Sequence, residues 1–183
     1  MNDFNSAREK KEAEKEILSF FLEMYERVTG QSITVVKINE RPDFICDRKD
    51  GSMVGVELVE IRRNHPNDIL WDKLVEKQDF MSIDNALKML QEVAINKDKK
   101  RKEPDWTHKA ATILLIALTD IPLAEIRKRI TSENLPDLYE TGFVEVRLAD
   151  FTGLEAYDDL ELFCVQPVQW AGYYPRILYK PYG

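Results

Sequence analysis

The sequence contains a nearly unbroken apolar run, ATILLIAL, at residues 111–118. Its length is that of a β-strand, and apolar residues at consecutive positions are typical of a strand that is covered on both faces. We therefore expect residues 111–118 to form the central strand of a sheet with helices packed on each side.

Outward from this strand, apolar periodicity predicts two long helices, one short helix and several further strands. Helices are expected at about 6–28, 82–102 and 123–130. Strands are expected at 32–38, 42–46, 53–61, 143–148, 160–165 and, as an edge strand, 173–179. This order predicts an α/β or α+β fold in which a mixed central β-sheet is flanked by helices. The 183 residues suit a single domain, with a core at about 6–120 and an acidic C-terminal extension at about 121–183.

Composition favours a soluble protein in a reducing compartment. The chain has no run of about 18 apolar residues, so we expect no membrane span, and its charged N-terminus is unlike a secretory signal. Cys46 and Cys164 are far apart and fit no metal-binding spacing, so we expect them in the core and the protein in the cytoplasm.

The net charge of −7 is unevenly distributed. The window at 132–163 holds nine acids against one base, Arg147, and carries −8, so the rest of the chain sums to +1. The densest basic run is at 97–102. The overall charge argues against coating nucleic acid through bulk attraction. The acidic window is either a solvated face or a surface for a basic partner.

Two carboxylates stand out because of their strand context. Asp43 follows Pro42 at the start of one predicted strand, and Glu57 lies within the next, between Val56 and Leu58. An unpaired carboxylate among apolar residues is costly. Two carboxylates brought together across a hairpin would suit Mg²⁺, which favours one or two carboxylates with waters and substrate phosphate. The alternative is a half-exposed strand whose polar face carries Glu57.

Pro42-Asp43 and Glu57 resemble the PD-(D/E)XK nuclease superfamily, and the resemblance spans about residues 15–120. It implies a restriction-endonuclease-like core that binds Mg²⁺ or Mn²⁺ and hydrolyses phosphodiester bonds in DNA. It also implies that Asp43, Glu57 and the backbone carbonyl of Leu58 are the metal ligands. By the same resemblance, Glu16 on the first helix is a supporting acid.

The lysine of the superfamily is missing from its usual place. Two residues after Glu57, where period-two geometry would put it on the same face, the sequence has Val59. The apolar stripe at 86, 90 and 93 extends to inward positions at Lys97 and Lys100, and some branches of the superfamily carry their lysine on this helix. The alternative is that these lysines solvate the helix end and favour its dipole.

These residues lead to two expectations from different classes of protein. The first is a metal-dependent DNA nuclease with Asp43, Glu57 and Lys97 or Lys100 in the site, and with Glu16 in support. Basic residues would line the path of the phosphates, namely Lys99, Arg101, Lys102 and Lys109. The second is a nuclease-like fold without catalysis that binds DNA or a protein partner. RNA as a substrate, a homodimer and purely structural acids remain open.

Overall fold

The computed structural model describes residues 3–63, 80–109, 111–153 and 160–167. The edge strand expected at 173–179 lies outside the described residues. The helices run as follows: α1 Asp3–Thr29, α2 Ile83–Arg101, α3 Leu123–Ile126, a 3₁₀ turn Arg127–Arg129, and α4 Pro136–Tyr139. No helix in the described part of the chain has the length and apolar character that crossing a lipid bilayer requires.

In the described part of the chain, six strands form one mixed sheet whose spatial order is the chain order. They are β1 Ile33–Ile38, β2 Phe44–Arg48, β3 Met53–Ile61, β4 Thr112–Leu118, β5 Glu145–Asp150 and β6 Glu161–Gln166. The β1–β2, β2–β3 and β5–β6 pairs are antiparallel, whereas β4 lies parallel to both β3 and β5. All seven residues of β4 are buried, which confirms the expectation of a central strand covered on both faces. The segment after residue 120 contributes β5 and β6 to the same sheet as the core.

Two apolar clusters lie on opposite faces of this sheet. On one face, α2 and α3 pack through residues such as Leu90 and Leu123 against Leu114 and Ile116. On the other face, α1 packs through residues such as Phe21 against Leu115. Side chains alternate along β3 because successive residues of a strand point to opposite faces. The mixed sheet flanked by helices is thus confirmed.

Local details differ from the sequence expectations. The segment at 123–130 is helical only to Ile126 and continues as the 3₁₀ turn, while the four-residue α4 was not expected. The first residues of β5 alternate between charged and apolar, yet all six residues of the strand are buried. Glu145 and Arg147 are buried as an ion pair, so alternation here does not mark a solvated face.

Candidate active site

Asp43 and Glu57 lie together, as the hairpin between β2 and β3 predicts. Phe44 pairs with Val56 in the antiparallel register, so residue 43 comes opposite residue 57. The backbone N–H of Asp43 donates a hydrogen bond to Oε2 of Glu57 at 3.3 Å. The two carboxylates therefore share one site and do not lie on opposite faces of the sheet.

Backbone groups of β3 fix the Asp43 side chain. The N–H of Leu58 donates to Oδ2 of Asp43 at 2.9 Å. In a regular antiparallel strand the N–H and C=O of one residue point to the same side. The Leu58 carbonyl, expected as a metal ligand, therefore points toward the side of β3 on which Asp43 lies.

Pro42 sets the position of the loop that carries Asp43. A Cβ at Gly55 would lie 2.4 Å from Cγ of Pro42 and 3.0 Å from Oγ1 of Thr112, so glycine is needed where the Pro42 ring lies against β3. The Arg41–Pro42 peptide is cis. Arg41 pairs with Asp105 at 3.0 Å and also with Glu103, which ties this loop to the segment after α2.

Lys97 reaches the site from α2. Its ammonium group forms an ion pair with Oε1 of Glu57, and the two side chains are 19% and 6% exposed, respectively. The buried stripe of α2 includes Leu90 and Ala94, and its next inward position is 97. The expected inward position of Lys97 is thus confirmed. Val59, which stands at the usual lysine position, packs against the apolar cluster of the α2 face.

The inward position expected for Lys100 is wrong, because Lys100 is exposed. The error came from Val93, which is half-buried at the flank of the stripe and shifts the extrapolation by one residue. The inward residue of the last turn is Arg101, whose side chain is 12% exposed.

The basic residues expected to contact DNA have different environments. Lys99 is exposed. Lys102 is also exposed but pairs with Asp98 at 2.6 Å. Lys109 is half-buried and donates to the carbonyl of Lys102 at 3.3 Å. Arg101 donates to Asp98 at 2.9 Å and to the carbonyl of Lys109 at 3.0 Å, so its guanidinium is engaged within the fold.

On α1 the structure brings a different acid to the site than the one expected. Glu16, which the resemblance implied as a supporting acid, is exposed. Glu14 is only 13% exposed and pairs at 2.7 Å with Lys11, whose Nζ lies 3.4 Å from Oδ1 of Asp43. The buried residues Leu18 and Phe21 give the signal that was missed, since three- and four-residue steps back from them reach positions 14 and 11.

Burial dominates the electrostatics of Glu57. Desolvation raises the pKa of Glu57 above its usual range, and the negative charge of Asp43 raises it further. Lys97 and the backbone N–H of Asp43 lower it by less. Positive charge added between the two carboxylates would therefore stabilise the ionised form of Glu57. This is the setting in which a cation is favoured.

The residues of the site fit Mg²⁺ or Mn²⁺. Among the described residues, no group of three or more His, Cys, Asp or Glu side chains is placed to hold a metal ion. Mg²⁺ needs fewer protein ligands than that, because waters and substrate phosphate complete its octahedron. Asp43 and Glu57 supply two carboxylates, and each of their oxygens keeps a lone pair beyond the one hydrogen bond or ion pair described above.

The acidic window at 132–163 is not one solvated face. Within the described residues, Glu145 is 2% and Asp150 9% exposed. Asp150 caps α3 by accepting the N–H of Leu123 at 2.6 Å. Glu161 pairs with Arg127 and Asp137 accepts from Gln91, while Glu133 and Glu140 are exposed. A basic partner for this window stays a prediction, now with fewer exposed acids to support it.

Both cysteines are buried and free, as expected. Burial raises the pKa of Cys46 and of Cys164 to about 11, so neither thiol is a nucleophile near neutral pH.

Comparison of the chain with protein-family models, with curated proteins and with solved structures gives no match. Any function assigned to the chain therefore rests on the geometry of its own residues.

Proposed function

We propose that the chain is a divalent-metal-dependent nuclease that hydrolyses phosphodiester bonds in DNA. The observation that supports it is the convergence of Asp43, Glu57 and Lys97 from three separate elements. The backbone N–H of Asp43 donates a hydrogen bond to the Glu57 carboxylate. Lys97, 40 residues after Glu57 in the chain, pairs with the same carboxylate. Two carboxylates with one lysine are the charges that metal-assisted phosphoryl transfer needs.

In this proposal each residue of the candidate site has its own task. Asp43, Glu57 and the Leu58 carbonyl would hold Mg²⁺ or Mn²⁺. When bound, such an ion supplies charge to the scissile phosphate and lowers the pKa of water. Lys97 orients the attacking water or donates to a phosphate oxygen as negative charge develops. A water oxygen bonds to phosphorus, one P–O ester bond breaks, and the departing oxygen takes a proton, which leaves a phosphate monoester and a hydroxyl end.

The test is cleavage of supercoiled and linear DNA with Mg²⁺ or Mn²⁺, and with a chelator as the control. We expect Asp43→Asn and Lys97→Met to slow cleavage by about 100-fold or more, as the loss of one stabilising charge or ligand does in other sites. Lys100→Met is the matched control, because it removes an exposed lysine from the same helix and should cleave at the wild-type rate.

Three outcomes decide the proposal. Cleavage that persists in Asp43→Asn, or in the presence of chelator, would overturn the assigned site. An equal loss of cleavage rate in Lys97→Met and Lys100→Met would show that cleavage depends on the general positive charge of α2 and not on the contact of Lys97 with Glu57. Binding of DNA without cleavage under any metal would favour the non-catalytic binding module. An RNA of the same sequence, run beside the DNA, tests the choice of nucleic acid.

A further inference from the structure

Two lysines contact the paired carboxylates, and they come from different helices. Lys97 on α2 pairs with Glu57, while Lys11 on α1 lies with its Nζ 3.4 Å from Oδ1 of Asp43. The two helices pack on opposite faces of the sheet. The carboxylate pair is therefore flanked by one ammonium group on each side.

Lys11 is held in place by its neighbours on α1 and β2. Oε2 of Glu14 lies 2.7 Å from its Nζ, and the Phe44 ring centroid lies 5.8 Å from it. Burial lowers the pKa of Lys11, but hydrogen bonds and charge from Glu14 and Asp43 raise it by more, so the group stays charged. Glu14 thus fixes an ammonium group beside Asp43.

Exposure separates the roles of the two lysines. The Lys11 side chain is 38% exposed, against 19% for Lys97. The contact of Lys11 with Asp43 is long, and an ammonium has three donors. An anion that arrives from solvent can accept a hydrogen bond from Lys11 without breaking the buried pair of Lys97 with Glu57.

We propose that Lys11 is a second phosphate-contacting residue of this site and that Glu14 is the residue that positions it. This inference rests on the proposed function. Lys11 would donate to an oxygen of the scissile phosphate or of its neighbour along the strand. The surface that contacts phosphates would then reach from α2 to the first half of α1.

Lys10 offers a matched control on the same helix. It pairs with the same Glu14, at 3.7 Å, but its side chain is 77% exposed. One residue turns an α-helix by about 100°, so Lys10 has a different direction from Lys11. Removing either lysine changes the net charge of α1 by the same amount.

The experiment measures DNA binding and Mn²⁺ binding separately, so neither needs catalysis. Binding of a fluorescein-labelled DNA duplex is followed by anisotropy in Ca²⁺ at several salt concentrations, and Mn²⁺ binding without DNA is followed by the paramagnetic resonance of free Mn²⁺. We expect Lys11→Met to weaken DNA binding about tenfold and to lower the salt slope by about one. Glu14→Gln should lose part of this affinity, and Lys10→Met should match wild type.

Mn²⁺ binding distinguishes a phosphate contact from a structural role. Removing a positive charge beside Asp43 should leave Mn²⁺ affinity unchanged or higher, whereas loss of a residue that only holds Asp43 in place should lower it. Unchanged DNA affinity in Lys11→Met, an equal loss in Lys10→Met, or a loss of Mn²⁺ affinity in Lys11→Met would each overturn the inference. Wild-type protein that binds Mn²⁺ and DNA but does not cleave overturns the proposed function, while a selective loss in Lys11→Met still supports the phosphate contact.

Discussion

A side chain at position 55 would occupy space that Pro42 fills. The Cβ of an alanine there would lie 2.4 Å from Cγ of Pro42, so the loop before β2 must shift. Asp43 follows Pro42 directly and would move away from the Leu58 N–H. We expect Gly55→Ala to cost about 1–3 kcal/mol of folding free energy through overpacking. It should also abolish Mn²⁺ binding, as measured by titration of the folded variant.

Gly30→Ala controls for a general loss of stability. Gly30 has φ +70 and open space around its Cβ position, so alanine there is strained but touches nothing near the site. It should cost about 1–2 kcal/mol in urea unfolding and keep wild-type Mn²⁺ affinity. Wild-type Mn²⁺ affinity in Gly55→Ala would show that Pro42 can move without carrying Asp43.

At the scale of single residues, spacing predicted some residues of the candidate site and missed others. Asp43 and Glu57 were found because a hairpin register and an apolar context constrain them strongly. Lys97 was found because it continues the buried stripe of α2. Glu14 and Lys11 were missed because the sequence leaves the phase of the buried face of α1 ambiguous, and four-residue steps back from Met24 and Phe20 lead to Glu16. Burial of Leu18 fixes that phase, but several phases fit the sequence equally well.

At the scale of elements, the last turn of α2 is anchored by a residue that sequence reasoning assigned to DNA. Arg101 pairs with Asp98, donates to the Lys109 carbonyl and lies 5.6 Å from the Phe143 ring centroid. A Cβ at Gly142 would come within 1.8 Å of its Nη2. The basic run predicted a charged helix end but not which of its residues turns inward, because that depends on packing against a segment 41 positions later.

We expect Arg101→Met to destabilise the fold by about 1–3 kcal/mol, since it removes a largely buried ion pair and leaves a carbonyl without its donor. Lys102→Met is the control. Lys102 pairs with the same Asp98, but its side chain is 67% exposed, so this ion pair should contribute about 0–1 kcal/mol to the stability of the fold. Urea unfolding of both variants measures the difference. Unchanged stability together with weaker DNA binding in Arg101→Met would restore its expected role as a DNA contact.

At the scale of the whole molecule, the mixed sheet and its helical layers were predictable because the pattern of apolar runs specifies them. The distribution of charge was not. Glu145 counted toward an acidic window, but its buried carboxylate contacts residues of α1, β2 and β5 that are far apart in the chain. It accepts from Tyr25 at 2.8 Å and from Arg147 at 2.8 Å, and it pairs with Arg48 at 3.4 Å. A formal charge sum cannot distinguish such a carboxylate from a solvated one.

This network links α1, β2 and β5, so its loss should lower the stability of the whole fold. We expect Glu145→Gln to cost about 3–5 kcal/mol, because it breaks the buried ion pair between Glu145 and Arg147. Tyr25→Phe removes one hydrogen bond to a charged acceptor and should cost about 1.5–3 kcal/mol. Glu140→Gln, an exposed acid of the same window, should change stability by less than about 0.5 kcal/mol. Urea unfolding gives the three values, and equal small losses for Glu145→Gln and Glu140→Gln would mean that the network contributes little and that Arg147 is held by other contacts.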